Sequence, residues 1–425
     1  MNSSAAAARV LQAVEAATDE MIALTASIVR LPSVSGTAGE NEAQQHMARV
    51  LGDGGMDVDH WELDLPALTA HPDFPGMEVD RSEAWGLVGR LPGSGDGATL
   101  MLNGHIDVVP IGDPGAWDEP PFSGLVRDGR MYGRGACDMK AGLIAAHWAV
   151  QAIRAAQVQL RGDLLLASVQ GEEDGGLGTF GLLQRGWTAD ACVIPEPTTL
   201  DIIPANAGAL TFRIRVRGKA THAARRTEGV SALEKFWPVF AALQRLEARR
   251  HEEIDPLAAR WPLAHPLSIG VVHAGDWASS VPDLLVAEGR LGVAIGEPVD
   301  HARAALEVAV AEACADDPWL RANPAQVEWW GGQFASGRLP AQSDLVERVQ
   351  GAHAIGSDHR PLDVYGAPYG SDLRLLTGLG GIPTVQYGPG DAILAHGPAE
   401  SVPLDEIAVT ARTLALVALD VCGIG

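Results

Sequence analysis

Along residues 5–206 the apolar positions switch between two periods. Val10, Leu11, Val14, Met21, Leu24 and Ile28 recur at helical spacing, and Pro32, with no amide to offer the helix, is predicted to end it. ATLMLNGHID, GDLLLASVQ and ADACVIPEP are short apolar runs, each entering a cluster of glycine, charge or proline. Between the first two, GLIAAHWAVQAIRAA reads as a helix. Strand, helix and strand in this order predict βαβ units and a largely parallel sheet.

Near residue 208 the texture changes. GALTFRIRVRGKATHAA alternates apolar and basic positions, as a half-exposed strand does. VSALEKFWPVFAALQRLEARRH is helical in pattern despite Pro238, LSIGVVHAG and LLVAEGRLGVAIG are strands, and HARAALEVAVAEACA is a second helix. The succession predicts a small ferredoxin-like α+β sheet with two helices on one face. After about residue 336 the βα texture returns, ending in the helical PLDEIAVTARTLALVALDVCGIG. The expected fold class is therefore α/β. Residues 1–207 and 337–425 form a mostly parallel-sheet domain, interrupted by an inserted α+β domain over 208–336.

Size and charge narrow the possibilities. The 425 residues suit two domains, and 47% hydrophobic with 20% charged residues is ordinary globular composition. A net charge of −23 argues against nucleic acid or an anionic membrane surface as partner. No apolar run reaches the roughly 18–20 residues that cross a bilayer. The N-terminal stretch carries acidic residues and lacks the basic and apolar regions of a signal peptide. Cys137, Cys192, Cys314 and Cys422 are scattered without CxxC pairing. A reducing, cytoplasmic location is expected.

Five candidate metal ligands sit at strand ends or in glycine-rich loops: His105 in NGHIDVVP, Asp138 in GRGACDMKAG, Glu173 in GEEDGG, Glu196 in IPEPT and His396 in LAHGP. Singly, each has an ordinary alternative as a surface turn, a solvated acidic loop or a partly exposed histidine. Together, two imidazoles and three carboxylates, with Glu172 to spare, form a catalytic set. Asp107, two positions from His105, shares its face and can accept the second ring N–H, fixing the tautomer. Glu172 and Glu173 are adjacent like charges that need a cation or proton, and consecutive side chains diverge, so one can bind metal while the other acts as a base.

These motifs, with WDEPPF (117–122) and YGPG (387–390), occur in an order that resembles the two-zinc peptidase/deacylase family, which includes acetylornithine deacetylase, succinyl-diaminopimelate desuccinylase, aminoacylases and glutamate carboxypeptidases. The likeness covers nearly the whole chain. It implies His105 and Glu196 on one metal, Glu173 and His396 on the other, and Asp138 shared between them. It also implies Glu172 as general base, Asp107 as partner of His105, and a cis Asp138–Met139 peptide. His222, in GKATHAARR, resembles a family histidine that reaches the partner subunit's active site, which makes a homodimer the expected state and the inserted domain a dimerisation and lid domain.

Two divalent ions acidify a water and polarise a carbonyl, the chemistry of amide hydrolysis. Zinc suits the mixed imidazole and carboxylate set, with cobalt or manganese as alternatives. Arg290 and Arg374 are candidates to bind a substrate carboxylate through their guanidinium forks, or are ordinary structural ion pairs. One departure stands out: Ser279 begins the run Ser279-Ser280-Val281-Pro282-Asp283 where the family often has Asn-x-x-Pro-Asp. RRTEGVSALEK and YGSDLR are nearest the acetylornithine/succinyl-diaminopimelate branch and its deformylase relatives. The expected activity is deacylation of a small N-acyl compound. The alternatives are a dipeptidase or glutamate-type carboxypeptidase with the same metals, and a metal-binding scaffold without turnover.

Overall fold

A computed structural model of the protein describes residues 3–425. The chain divides into two compact units, one holding the residues up to Ala205 with Arg338–Tyr365 and Asp372–Gly425, the other Asn206–Gly337 with Gly366–Ser371.

The larger unit is built on a mixed sheet whose centre is parallel. Four strands lie side by side in the order Leu164–Val169, Leu100–His105, Ala191–Ile194 and Thr384–Gln386, all parallel to their neighbours. Antiparallel strands flank them, with Trp85–Leu91 and then Asp57–Glu62 on one side and Ile202–Asn206 on the other. Both faces of the central strands are buried, so alternate residues feed two different cores. Leu100, Leu102, Leu164, Leu166 and Val193 pack with the helices Ser3–Ala16, Ala141–Ala155 and Leu404–Cys422. Met101, Leu165, Ala167, Cys192 and Ile194 pack on the opposite face with Leu182, Leu373 and Leu376.

The N-terminal apolar stretch forms two helices, Ser3–Ala16 and Thr18–Val29, rather than one. The break falls at Ala17, whose backbone angles (φ −103°, ψ 9°) leave the helical range, and the Thr18 hydroxyl beside it donates to the carbonyls of Val14 and Glu15. A small three-stranded sheet, Leu125–Arg127, Arg130–Tyr132 and Ser401–Pro403, ties the C-terminal segment to the middle of the chain.

The smaller unit is a four-stranded antiparallel sheet in the order Leu267–Ala274, Leu284–Val293, Gly208–Arg217, Gln326–Phe334. In chain order this is 2-3-1-4, the ferredoxin-like arrangement. Helices Ala232–Arg250 and Val299–Asp316 share one core with its inner face, around Phe212, Ile214, Leu285 and Leu291. Pro238 is accommodated inside the first helix, whose start is capped by Ser231 accepting from the Glu234 amide. Segment 366–371 packs with this unit although its chain neighbours belong to the other: Ala367 O accepts from the Ala207 amide at 2.9 Å, and Gly366 O from Trp261 Nε1 at 2.7 Å. No helix among the described residues is long and apolar enough to cross a membrane.

Candidate metal centre

In an open parallel sheet the strands' carboxyl ends form the natural crevice. His105 is the last residue of Leu100–His105, Glu172 and Glu173 follow Leu164–Val169, and Glu196 follows Ala191–Ile194. Three adjacent parallel strands thus deliver four of the candidate side chains to one edge. Asp138 comes from the irregular turn Ala136–Lys140 that opens the helix Ala141–Ala155, and its peptide to Met139 is cis. This helix packs close beneath the Glu196 turn because residue 142 is glycine: a Cβ there would lie 1.9 Å from Pro195 O.

Asp138 sits between the two histidines. Its Oδ1 is 3.0 Å from His105 Nε2 and its Oδ2 is 3.5 Å from His396 Nε2. Glu173 Oε2 lies 3.1 Å from His396 Nε2, and Glu196 Oε2 lies 4.0 Å from His105 Nε2. One ligand atom each from His105, Asp138 and Glu173 falls within 4.8 Å of the others. Residues separated by up to 291 positions in the chain therefore meet in one cluster. Its interior end is buried, with the His105 side chain 1% exposed, while His396, 52% exposed, forms the open side.

The electrostatics show a site short of positive charge. Burial, with Asp372 and Glu196 nearby, pushes the Glu172 carboxyl well above the usual range. Burial likewise raises Glu173 and Glu196, with Asp138 adding to both. Burial would raise Asp138 too, but the two imidazoles override it and hold it below the ordinary range. His396 is drawn up to about 11, chiefly by Glu173, and His105 is drawn up by its carboxylate neighbours against the cost of burial. A donor set that pulls protons onto its imidazoles is one that divalent cations satisfy better, in exchange for those protons. The residues fit a metal centre.

The supports differ from the sequence expectation in two places. His105 Nδ1 lies 2.9 Å from the Asp107 main-chain carbonyl, whereas the Asp107 carboxylate is 3.7 Å away. That carboxylate is engaged elsewhere, accepting from the amides of Glu172 and Glu173 at 3.3 Å each and from the Ser35 hydroxyl at 3.1 Å. Asp107 therefore fixes the His105 tautomer through its backbone and the GEED turn through its side chain. Arg374 is buried: its Nη2 donates to Gly175 O at 2.7 Å and its Nη1 lies 4.0 Å from Asp372 Oδ1. It braces the GEEDGG loop. His222 and Arg290 belong to the smaller unit, and both are exposed. His222 Nδ1 accepts from the Ala224 amide at 3.1 Å, and Arg290 lies in the strand Leu284–Val293.

Several residues around the site escaped the sequence reading. Arg81 bridges Glu40 and Asp174, contacting Glu40 through Nε at 3.0 Å and Asp174 through Nη1 at 2.8 Å, with all three side chains buried. Asp174 directly follows Glu173, so this network anchors the same turn. Asp372, also buried, accepts from the Thr179 hydroxyl at 2.6 Å. Glu400 accepts from the amides of Gly135, Cys137 and Asp138. Arg81 and Glu40 lie in polar stretches, EVDRSE and GENEAQQ, where a charged residue carries no signal of its own.

Residues 101–420 match peptidase family M20/M25/M40. The chain is 29% identical over 420 residues to the N-formyl-4-amino-5-aminomethyl-2-methylpyrimidine deformylase of Bacillus subtilis, covering 93% of this chain and 92% of that protein. It is 30% identical over 385 residues to the acetylornithine deacetylase of Myxococcus xanthus, covering 87% and 95%. Among solved structures, a dipeptidase of Saccharomyces cerevisiae superimposes with a TM-score of 0.77 at 15% identity over 98% of both chains. A metallo-carboxypeptidase of Sulfolobus solfataricus gives 0.74 at 16% identity, over 94% of this chain and 99% of the other. At these identities the structures speak for the fold alone.

Proposed function

The chain belongs to peptidase family M20/M25/M40 and is a metal-dependent hydrolase of amide bonds; from that premise we propose that it removes a small acyl group, formyl foremost, from the nitrogen of a small amine. The observation that carries the catalytic reading is the Asp138 carboxylate set between the imidazoles of His105 and His396. The choice of a deacylated amine over a peptide rests on the near full-length likeness to the deformylase and the deacetylase.

In this reading His105 and Glu196 hold one divalent ion, Glu173 and His396 a second, and Asp138 serves both. Zinc matches the nitrogen and oxygen donors, and cobalt or manganese can take the same places. When bound, such a pair supplies an acidified water and polarises the acyl carbonyl. Glu172 takes a proton from the attacking water and returns it to the leaving nitrogen, so that amide and water become a carboxylate and an amine. Its raised affinity for a proton suits both halves of that task. Asp107, through the amides of residues 172 and 173, holds the backbone turn that carries base and ligand. Arg290 is left to meet a negative group on the substrate, while Arg374 acts on the loop rather than on the substrate.

The smaller unit supports a homodimer. Its edge strand Leu267–Ala274 leaves Val271 41% and Val272 47% exposed, an arrangement that invites pairing with another strand. His222 then acts in the partner's site as a donor to the tetrahedral oxyanion. Sedimentation equilibrium is expected to give twice the monomer mass, and a monomer at micromolar concentration would refute this part. The four cysteines are all free and buried, in keeping with a reducing cytoplasm.

A substrate panel tests the activity. Protein loaded with zinc or cobalt, and a chelated control, are incubated with an N-formyl aminomethylpyrimidine, N-formyl, N-acetyl and N-succinyl amino acids, and dipeptides. Chelator-sensitive release of amine from an N-acyl compound is expected. Cleavage of dipeptides alone would move the protein to the peptidases, and no cleavage of any member would reject both readings.

A further inference from the structure

Arg134 and Glu400 form a buried pair that touches three of the segments carrying the candidate ligands. Arg134 Nη1 donates to Glu400 Oε2 at 2.5 Å, with the two side chains 2% and 0% exposed. The other Glu400 oxygen, Oε1, gathers the amides of Gly135, Cys137 and Asp138 at 2.8, 3.1 and 3.2 Å. On the far side of the guanidinium, Nη2 donates to His396 O at 3.2 Å and to Pro110 O at 3.3 Å.

These bonds fall where local structure gives least support. Asp138 lies in an irregular turn with extended backbone angles (φ −117°, ψ 100°) inside a helical segment. His396 has φ 60°, in the left-handed region that non-glycine residues disfavour. The Asp138 amide donates to Glu400, and His396 lies outside any helix or strand, just after the short turn Ala392–Leu394. A carboxylate accepting several amides from one turn freezes that turn, and a guanidinium on a carbonyl in a strained loop sets the direction of the side chain beyond it.

We infer that the Arg134–Glu400 pair is a positioning unit for the metal centre, with a division of labour: Glu400 sets Asp138, and through it both metals, whereas Arg134 sets His396, and through it one metal. The inference rests on the two-metal reading given above. It requires that loss of Glu400's charge weaken both sites and that loss of the guanidinium's fork weaken one.

The test is cobalt(II) titration of metal-free protein, followed by visible absorption and by competition with a chelating dye. Arg134→Lys is expected to keep one binding event as in the parent and to weaken the other by about 10–100-fold, the usual cost of losing a partner that orients a ligand. Glu400→Gln is expected to weaken both events and to alter the absorption bands. Thermal melting of the metal-free proteins separates loss of positioning from loss of fold. Should Glu400→Gln fail to fold, the asymmetry in Arg134→Lys still decides. Equal weakening of both events in Arg134→Lys, or titrations and spectra of both variants that match the parent, overturns the inference. A parent protein that binds no cobalt refutes the two-metal reading itself.

Discussion

Replacing Glu172 with glutamine is expected to lower kcat by about 10²–10⁴-fold, the range that a positioned acid–base group contributes, while two metals stay bound. Glu172 differs from its neighbour in what it touches. Glu173 reaches His396 at 3.1 Å and joins the cluster of ligand atoms, whereas Glu172 is not part of that cluster. The Asp107 carboxylate receives the amides of both residues, so the backbone of the turn that carries them is fixed. Burial and the carboxylates of Asp372 and Glu196 raise the affinity of Glu172 for a proton, the direction that suits a group that takes one up and gives it back. Glutamine keeps the shape and removes the basicity. Steady-state kinetics with metal analysis of the dialysed protein checks the expectation. The acid limb of kcat/KM, which reports deprotonation of this base, should vanish from the residual rate of the variant. A variant that loses metal along with activity would exchange the roles of Glu172 and Glu173.

The parts of this molecule legible in its sequence are those where local pattern and tertiary role coincide. Leu100–His105, Leu164–Val169 and Ala191–Ile194 are buried on both faces, so they read as short apolar runs, and the polar residue ending each run is also the one the sheet presents in its crevice. Alternation in Gly208–Arg217 likewise announced a strand with one inner face. What stayed hidden depends on closures between distant residues. Glu400 and Asp138 are 262 positions apart, and nothing near Glu400 in the sequence says that its carboxylate will collect amides from another loop. Arg374 reads either as a fork for a substrate or as a structural ion pair, and the sequence gives no hint that its Nη2 donates to Gly175 O, 199 positions away. Asp107 was read from side-chain spacing, which cannot show that the backbone carbonyl is the nearer acceptor. The break at Ala17 falls within an unbroken apolar periodicity, so the pattern alone predicts one helix where there are two.

Asp138→Asn should empty the centre more completely than loss of either histidine. The Asp138 carboxylate is the group within reach of both imidazoles, Oδ1 towards His105 and Oδ2 towards His396, and each oxygen carries part of one charge. Asparagine preserves the volume but offers one acceptor oxygen, no charge, and an amide that faces one histidine with hydrogens in place of a lone pair. On the two-metal reading both metals would lose a ligand at once, and the buried carboxylates Glu173 and Glu196 would lose the neighbour proposed to link their sites. His396→Ala removes a ligand from one metal only and leaves His105, Asp138 and Glu196 in place. The expected order is therefore two metals retained by the parent, one by His396→Ala and none by Asp138→Asn after dialysis against a weak chelator. Activity of Asp138→Asn should fall by more than the roughly 10–100-fold that follows loss of an outer partner of a ligand. Elemental analysis of the three dialysed proteins decides the matter. If Asp138→Asn retains both metals, Asp138 is not shared between two sites, and the centre must be redrawn around Glu173 and Glu196.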